Sequence, residues 1–140
     1  MKDRIARRGE TVIPDRVVSE LTLGFWVTIL SRPYDARLWS AQGGARLSTA
    51  FMRLPRRQRQ RQRIHQHYNE IRELRNRVFH HEPLFDDPRL RQRHDELKLG
   101  LHWLNPRMVD WLEDEDRFPD VYRDGRALVE QRLRRHVGLL

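Results

Sequence analysis

The 140-residue sequence contains no cysteine, which excludes a disulfide scaffold, a cysteine-ligated zinc ribbon and a thiol nucleophile together. Such a chain suits a reducing compartment, and a cytoplasmic location is expected. Long apolar runs are lacking as well. The longest, Leu21 to Leu30, is about half of the roughly 20 residues that a membrane-spanning helix needs, so neither a membrane span nor a membrane partner is expected. Met1 to Glu10 carries charges with no apolar segment behind them, which argues against a secretory signal. Residues 1–11 read as a flexible basic terminus, and 1–140 as one domain.

Acidic residues are missing from one long interval. Between Asp35 and Glu70 there is none, while Arg37, Arg46, Arg53, Arg56, Arg57, Arg59, Arg61 and Arg63 fall there. The remaining 20 basic and 20 acidic residues balance, so the formal net charge of +8 resides in residues 36–69. A block this concentrated is the footprint of a surface that meets phosphates. Arg53, Arg56, Arg57, Arg59, Arg61 and Arg63 are its candidate contacts. Arginine supplies 26 of the 28 basic residues, however, and an Arg/Gln-rich run also makes an ordinary solvated helix face; both readings stand at this point.

What is present is helical periodicity. From Pro14 to near Ser31, apolar residues at 17, 18, 21, 25 and 29 predict one amphipathic helix limited by Pro33. A helical turn over Asp35 to Trp39, a break at Gly43-Gly44 and a short helix over Ala45 to Leu54 follow. Arg56 to Glu82 has no Gly or Pro and carries Ile64, Tyr68, Ile71, Leu74 and Val78, which predicts one long helix. After Asp86-Asp87-Pro88, Leu90, His94, Leu97, Leu101 and Leu104 define another, closed by Asn105-Pro106. A short helix with Met108, Val109, Trp111 and Leu112 leads into Glu113 to Asp116. Phe118-Pro119 opens a last helix with Val121, Tyr122, Leu128, Val129, Leu133 and Val137. Sustained alternation is absent, so the expected fold is all-α, a bundle of four to five main helices.

The segment Leu74 to Pro83 concentrates the chemistry. At about 100° per residue, Arg75 falls in the middle of the stripe of Ile64, Tyr68, Ile71 and Val78. A permanently charged guanidinium on such a face must meet an acid such as Glu20 or Glu82, sit at a seam open to water, or await a phosphate. His80 and His81 follow at the helix end, where positive charge is favoured and where a capping role alone would account for them. A guanidinium, an amide and an imidazole together are what metal-free phosphodiester cleavage requires. Residues five apart stand about 140° apart on a helix, so Arg75 and His80 converge only if the helix ends between them or two chains share the site.

Arg75-Asn76-Arg77-Val78-Phe79-His80 resembles the R-x4-6-H motif of the HEPN superfamily, and the longer string from Ile71 to Phe85 resembles the signature of its abortive-infection (Abi-like) branch. Leu23 to Asp35 with Leu38-Trp39, His102 to Pro106, Trp111-Leu112 and Arg117-Phe118 extend the likeness over roughly residues 12–122. It implies a HEPN-like helical bundle of a phage-defence or toxin–antitoxin system, dimeric, needing no metal or other cofactor, and cleaving RNA in a cleft shared by two copies. On the matching positions, Arg75 would hold the scissile phosphate, His80 would act as general acid or base, and Asn76 would orient one of them. His81 is a second candidate because the spacing varies, and Tyr68 would stack on a base if exposed. An antitoxin or other neutralising partner is also implied. The branch carries an N-terminal helical segment that this chain, starting just upstream of the Phe25-Trp26 helix, is expected to lack.

Two other functions compete. One is a noncatalytic RNA-binding or sensor module of the same fold. The other is a DNA-binding helical protein, with the Arg56 to Arg63 helix along phosphates and the elements around Gly43-Gly44 imitating a helix-turn-helix. A metal site is not expected, because His65 and His67 stand about 200° apart on a helix. His94, inside an apolar seam, reads as a hydrogen-bonded interface histidine, and Glu113 to Asp116 as a solvated helix end able to dock on a basic surface of a partner or second copy.

Overall fold

The computed structural model describes residues 11, 13–40, 47–84 and 87–138. Among them the chain is all-α: α1 (Pro14–Ser19), α2 (Leu23–Ile29), α3 (Arg61–Phe79), α4 (Leu90–Leu104), α5 (Pro106–Glu115) and α6 (Phe118–His136). Single 3₁₀ turns at Arg32–Tyr34, Leu47–Phe51 and Arg56–Gln58 and a π turn at Asp35–Trp39 join the first half. All but Thr11 of the basic terminus, and the Gly43-Gly44 break, lie outside the described residues.

Three expected elements differ. The single helix from Pro14 is two, because Thr22 takes an extended backbone and its hydroxyl accepts the N–H of Phe25 at 3.3 Å, starting α2 anew. The helix expected over Ala45 to Leu54 is, where described, one 3₁₀ turn. The long helix begins at Arg61 rather than Arg56, since Gln60 is extended. Arg59 explains the bend: its Nε donates to the carbonyl of Leu54 and an NH2 to that of Met52, both at 2.7 Å. Two carbonyls left open by a loop are satisfied this way, and the chain turns back on itself before α3.

The core gathers where α3, α4 and the Leu47–Phe51 turn meet. Leu30, Phe51, Leu54, Ile64 and Trp103 are buried, with Trp39, Leu47 and Tyr68 packed against them. Trp39 stacks on Phe51, whose ring lies 5.7 Å from that of Tyr68. Gly100 lets α3 and α4 approach closely, for a methyl there would stand 2.8 Å from Ile71 Cδ1 and 3.0 Å from His67 Nε2. Across the same contact Tyr68 Oη donates to the Gly100 carbonyl at 2.7 Å. α5 packs on α4 and is started by Asn105, whose side chain accepts the N–H of Arg107 ahead of Pro106.

α6 meets the body through its first turn. Phe118 stacks on His94 at 4.2 Å and on Tyr122 at 5.3 Å. His94 Nε2 lies 2.9 Å from Asp116, as expected of an interface histidine, and Lys98 approaches Asp116 and Glu113. No helix among the described residues is long and apolar enough to cross a membrane.

Candidate nucleic acid interface

α3 ends in a double closure. The N–H of His81 returns to the carbonyl of Val78 at 3.1 Å, and that of Glu82 to the carbonyl of Arg77 at 2.9 Å. This arrangement needs a left-handed residue at the first position past the cap, normally glycine. Here His81 occupies it with φ of 55°, at a cost of about 1–2 kcal/mol against glycine. His80 and His81 are both exposed.

The two arginines of Arg75-Asn76-Arg77 have opposite situations. Arg77 is locked: Nε to Glu82 at 3.3 Å, NH1 to Asp87 at 2.8 Å and NH2 to the Pro83 carbonyl at 3.1 Å. Asp87 also meets Arg93 Nε at 3.2 Å and accepts the N–H of Arg89. That backbone N–H and the surrounding guanidinium groups, opposed by desolvation, hold its carboxyl below the ordinary range. Arg77, Asp87 and Arg93 therefore fix the α3–α4 connection. The signal was a guanidinium followed within ten residues by Glu82 and Asp87, but nothing in the spacing told Arg77 from Arg75.

Arg75 is exposed and holds no carboxylate among the described residues; Glu82, its expected partner, is taken by Arg77. Its guanidinium carbon sits 3.7 Å over the Phe79 ring, and an NH1 reaches Asn76 Oδ1 at 3.4 Å. Its placement on the stripe needs correction. The stripe is covered through Ile64 and Leu74, but Val78 and Phe79 are 49% and 63% exposed, because no neighbour among the described residues covers the last turn of α3. Arg75 thus lies on an apolar face open to water. The helix does end between Arg75 and His80, at Phe79. His80 nevertheless keeps a φ of −89°, close to helical, so the ending alone does not swing it back over Arg75.

The basic block divides. Arg53, Arg56, Arg57 and Arg63 are exposed, as is Arg37, while Arg46 lies outside the described residues. Arg59 and Arg61 are structural, Arg61 donating to the Leu30 carbonyl at 3.1 Å and lying 3.6 Å from Asp35. The rod of arginines expected along a DNA duplex is not formed, since the block bends at Gln60 and, among the described residues, only Arg61 and Arg63 of it are α-helical. Among the described residues, the turns at Asp35–Trp39 and Leu47–Phe51 on either side of Gly43-Gly44 supply no recognition helix either. Tyr68 is also corrected: its ring packs in the core, its hydroxyl is held by Gly100, and burial raises its pKa, so it offers no face to a base.

Cavities of about 430 Å³ beside Trp39 and about 350 Å³ beside His94 and Phe118 are not lined by Arg75, His80 or His81. No group of three or more His, Asp or Glu side chains converges among the described residues. In the second cavity Asp116 is drawn two ways: desolvation raises its pKa, but the Phe118 N–H, His94 and Lys98 prevail and hold it below the ordinary range. Comparison with family models, with curated proteins and with solved structures finds no match for this chain.

Proposed function

We propose that the chain is a cytoplasmic, metal-independent endoribonuclease of the Abi-like HEPN kind, acting in phage defence or as a toxin with a neutralising partner. The observation that carries this reading is the division of labour in one motif: Arg77 is consumed by the fold, while Arg75, exposed beside Asn76, holds no carboxylate among the described residues, and the helix that carries it ends in the exposed His80 and His81. A guanidinium over an exposed aromatic ring suits a phosphate on one side and a stacked base on the other. Arg53, Arg56, Arg57 and Arg63 supply the longer-range attraction that brings a polyanion to this face.

The chemistry follows from what RNA provides. The ribose 2′-oxygen attacks the adjacent phosphorus, its proton passing to one imidazole, as the bond from phosphorus to the 5′-oxygen breaks and that oxygen takes a proton from a second imidazole. Charge building on the phosphoryl oxygens is met by Arg75, whose orientation Asn76 supports. One chain offers His80 and His81, and two facing copies offer a pair of each. The products are a 2′,3′-cyclic phosphate and a 5′-hydroxyl.

The test is cleavage of a mixed single-stranded RNA in excess EDTA with analysis of ends. Wild type is expected to leave cyclic phosphates, Arg75→Ala to lose about 10²–10³-fold in rate, the scale of a removed transition-state donor, and His80→Ala or His81→Ala to identify the imidazole used. Absence of cleavage by a folded dimer overturns the catalytic reading. A second reading, a noncatalytic RNA-binding module, is favoured by one observation, that His80 keeps a near-helical φ of −89° at the end of α3, where residues five apart stand about 140° apart. Salt-sensitive RNA binding that survives His80→Ala without any cleavage selects it.

A further inference from the structure

Tyr68, the aromatic side chain expected to meet a base, packs in the core, and the last turn of α3 presents a different one to water. Phe79 follows Arg75 by four residues, so the two side chains share one face of the helix. The guanidinium carbon of Arg75 stands 3.7 Å over the centre of the Phe79 ring and so covers one of its faces. Phe79 is nevertheless 63% exposed, and no neighbour among the described residues covers that turn. The second face of the ring is therefore open.

Charge decides what fits there. A bare Val78–Phe79 patch alone would suit an apolar protein surface, but the carboxylates around it are all engaged. Arg77 holds Glu82 and Asp87, Arg93 also meets Asp87, and Glu73 accepts from Asn69. A helix C-terminus carries partial negative charge that repels a phosphate. Here the carbonyls of Asn76, Val78 and Arg77 accept the N–H groups of His80, His81 and Glu82, which answers much of that charge. Arg75 directs one long N–H contact to Asn76 and keeps the other donors of its fork. The edge of a stacked guanidinium takes a phosphate in its plane, and a bare aromatic face takes a flat base. We propose that Phe79 is the base platform of this site: its open face takes one unpaired purine while Arg75 takes a phosphate of the same strand, and the pair selects which nucleotide is held. Only an unpaired base qualifies, because the neighbours in a duplex cover both of its faces. A purine has more ring to lay on Phe79 than a pyrimidine has.

The platform deepens the ribonuclease reading by naming the residue that chooses the nucleotide, and it rests on that reading only for where a cut falls. The probe is a short 2′-O-methylated oligouridylate with one central 2-aminopurine, which offers no free 2′-hydroxyl at any position and loses fluorescence when its base stacks on an aromatic ring. Binding to the full chain and fluorescence at saturating protein are read together, with circular dichroism as the check on folding. Wild type is expected to bind and quench. Phe79→Leu, at an exposed position where an apolar side chain keeps the fold, should weaken binding roughly 5- to 150-fold, the range of one lost base stack, and restore the fluorescence. Phe79→Trp should keep both, and Trp111→Ser, at an exposed aromatic on α5, should change neither. Annealing the probe to its complement, or replacing the 2-aminopurine by uridine, should weaken binding in wild type. Quenching that survives Phe79→Leu, or equal affinity for the duplex or for the all-uridine strand, overturns the platform. No binding by the folded wild type overturns it as well and leaves the patch to a protein partner. Quenching that Phe79→Leu abolishes, in a protein that leaves RNA intact, overturns the ribonuclease reading alone. Cleavage whose cut positions ignore Phe79→Leu overturns the platform alone.

Discussion

α4 and α6 carry the same kind of apolar stripe and meet different fates. α4 lies between α3 and α5, with Trp103 buried and Gly100 pressed against Ile71 and His67. α6 attaches by Phe118 and then presents Val121, Leu128 and Leu133 to water. Amphipathicity therefore tells that a face wants covering and is silent on what covers it. The same lesson applies within α3, whose stripe is covered at Ile64 and bare at Val78 and Phe79. The bare places are where the molecule has capacity to bind.

The largest effect that would break this comparison is on stability. Trp103→Ala should cost about 3–5 kcal/mol, the usual range for deleting a buried aromatic side chain. Leu128→Ala should change the stability of the monomer by less than about 0.5 kcal/mol, as at other exposed sites. Urea unfolding at low protein concentration, where association contributes nothing, measures both. A large loss from Leu128→Ala there would mean that α6 is covered within the chain.

Much of the fold was legible because periodicity and caps agreed: α4 runs from Leu90 to Leu104 as its spacing predicts, and α6 starts at Phe118. The arginine block was not, since its bend depends on Arg59 finding two carbonyls contributed by Met52 and Leu54, a contact no local pattern announces. At the candidate site, Arg75, Asn76, His80 and His81 were named from the sequence, whereas the roles of Arg77 and Tyr68 depended on partners. Asp87, ten residues on, claims Arg77, and Gly100, 32 residues on, claims Tyr68. His94 was readable because a polar residue in an apolar stripe needs a partner, whereas the partner itself, Asp116, 22 residues on, was not, because Glu113 to Asp116 read as a solvated helix end.

A smaller effect sharpens the covered side through pH. His67 packs 4.2 Å from Trp103, and its Nε2 is buried without a hydrogen-bond partner. Burial lowers its pKa below the usual 6.5, outweighing Glu96 and Glu70, which raise it, while Arg63 adds to the lowering. Since the unfolded chain then binds a proton more readily than the folded one, the neutral ring's contribution is complete above about 6.5 and declines as pH falls below that value. Asp87 and Asp116, both depressed from 3.8, contribute above about 4 and lose their contribution at lower pH. Unfolding free energy should therefore fall in two stages on acidification, and His67→Gln should remove the upper one. A profile in which His67→Gln leaves the loss between neutral pH and about 5 unchanged would place that stage elsewhere.

The smallest effect sets two helical glycines, Gly100 and Gly125, against each other. Alanine is favoured over glycine in a helix interior by about 1 kcal/mol, so any departure reports the surroundings. At Gly100 the added methyl would stand 2.8 Å from Ile71 Cδ1 and 3.0 Å from His67 Nε2. Ile71 can yield at its tip, but His67 is backed by Trp103, so Gly100→Ala should come out destabilising by about 1 kcal/mol after the propensity gain, within the range for overpacking. At Gly125 the methyl meets only Val121 of its own helix at 3.5 Å, and Gly125→Ala should stabilise the monomer by about 0.5–1 kcal/mol. A loss at Gly125 instead would mean that α6 is covered there within the chain.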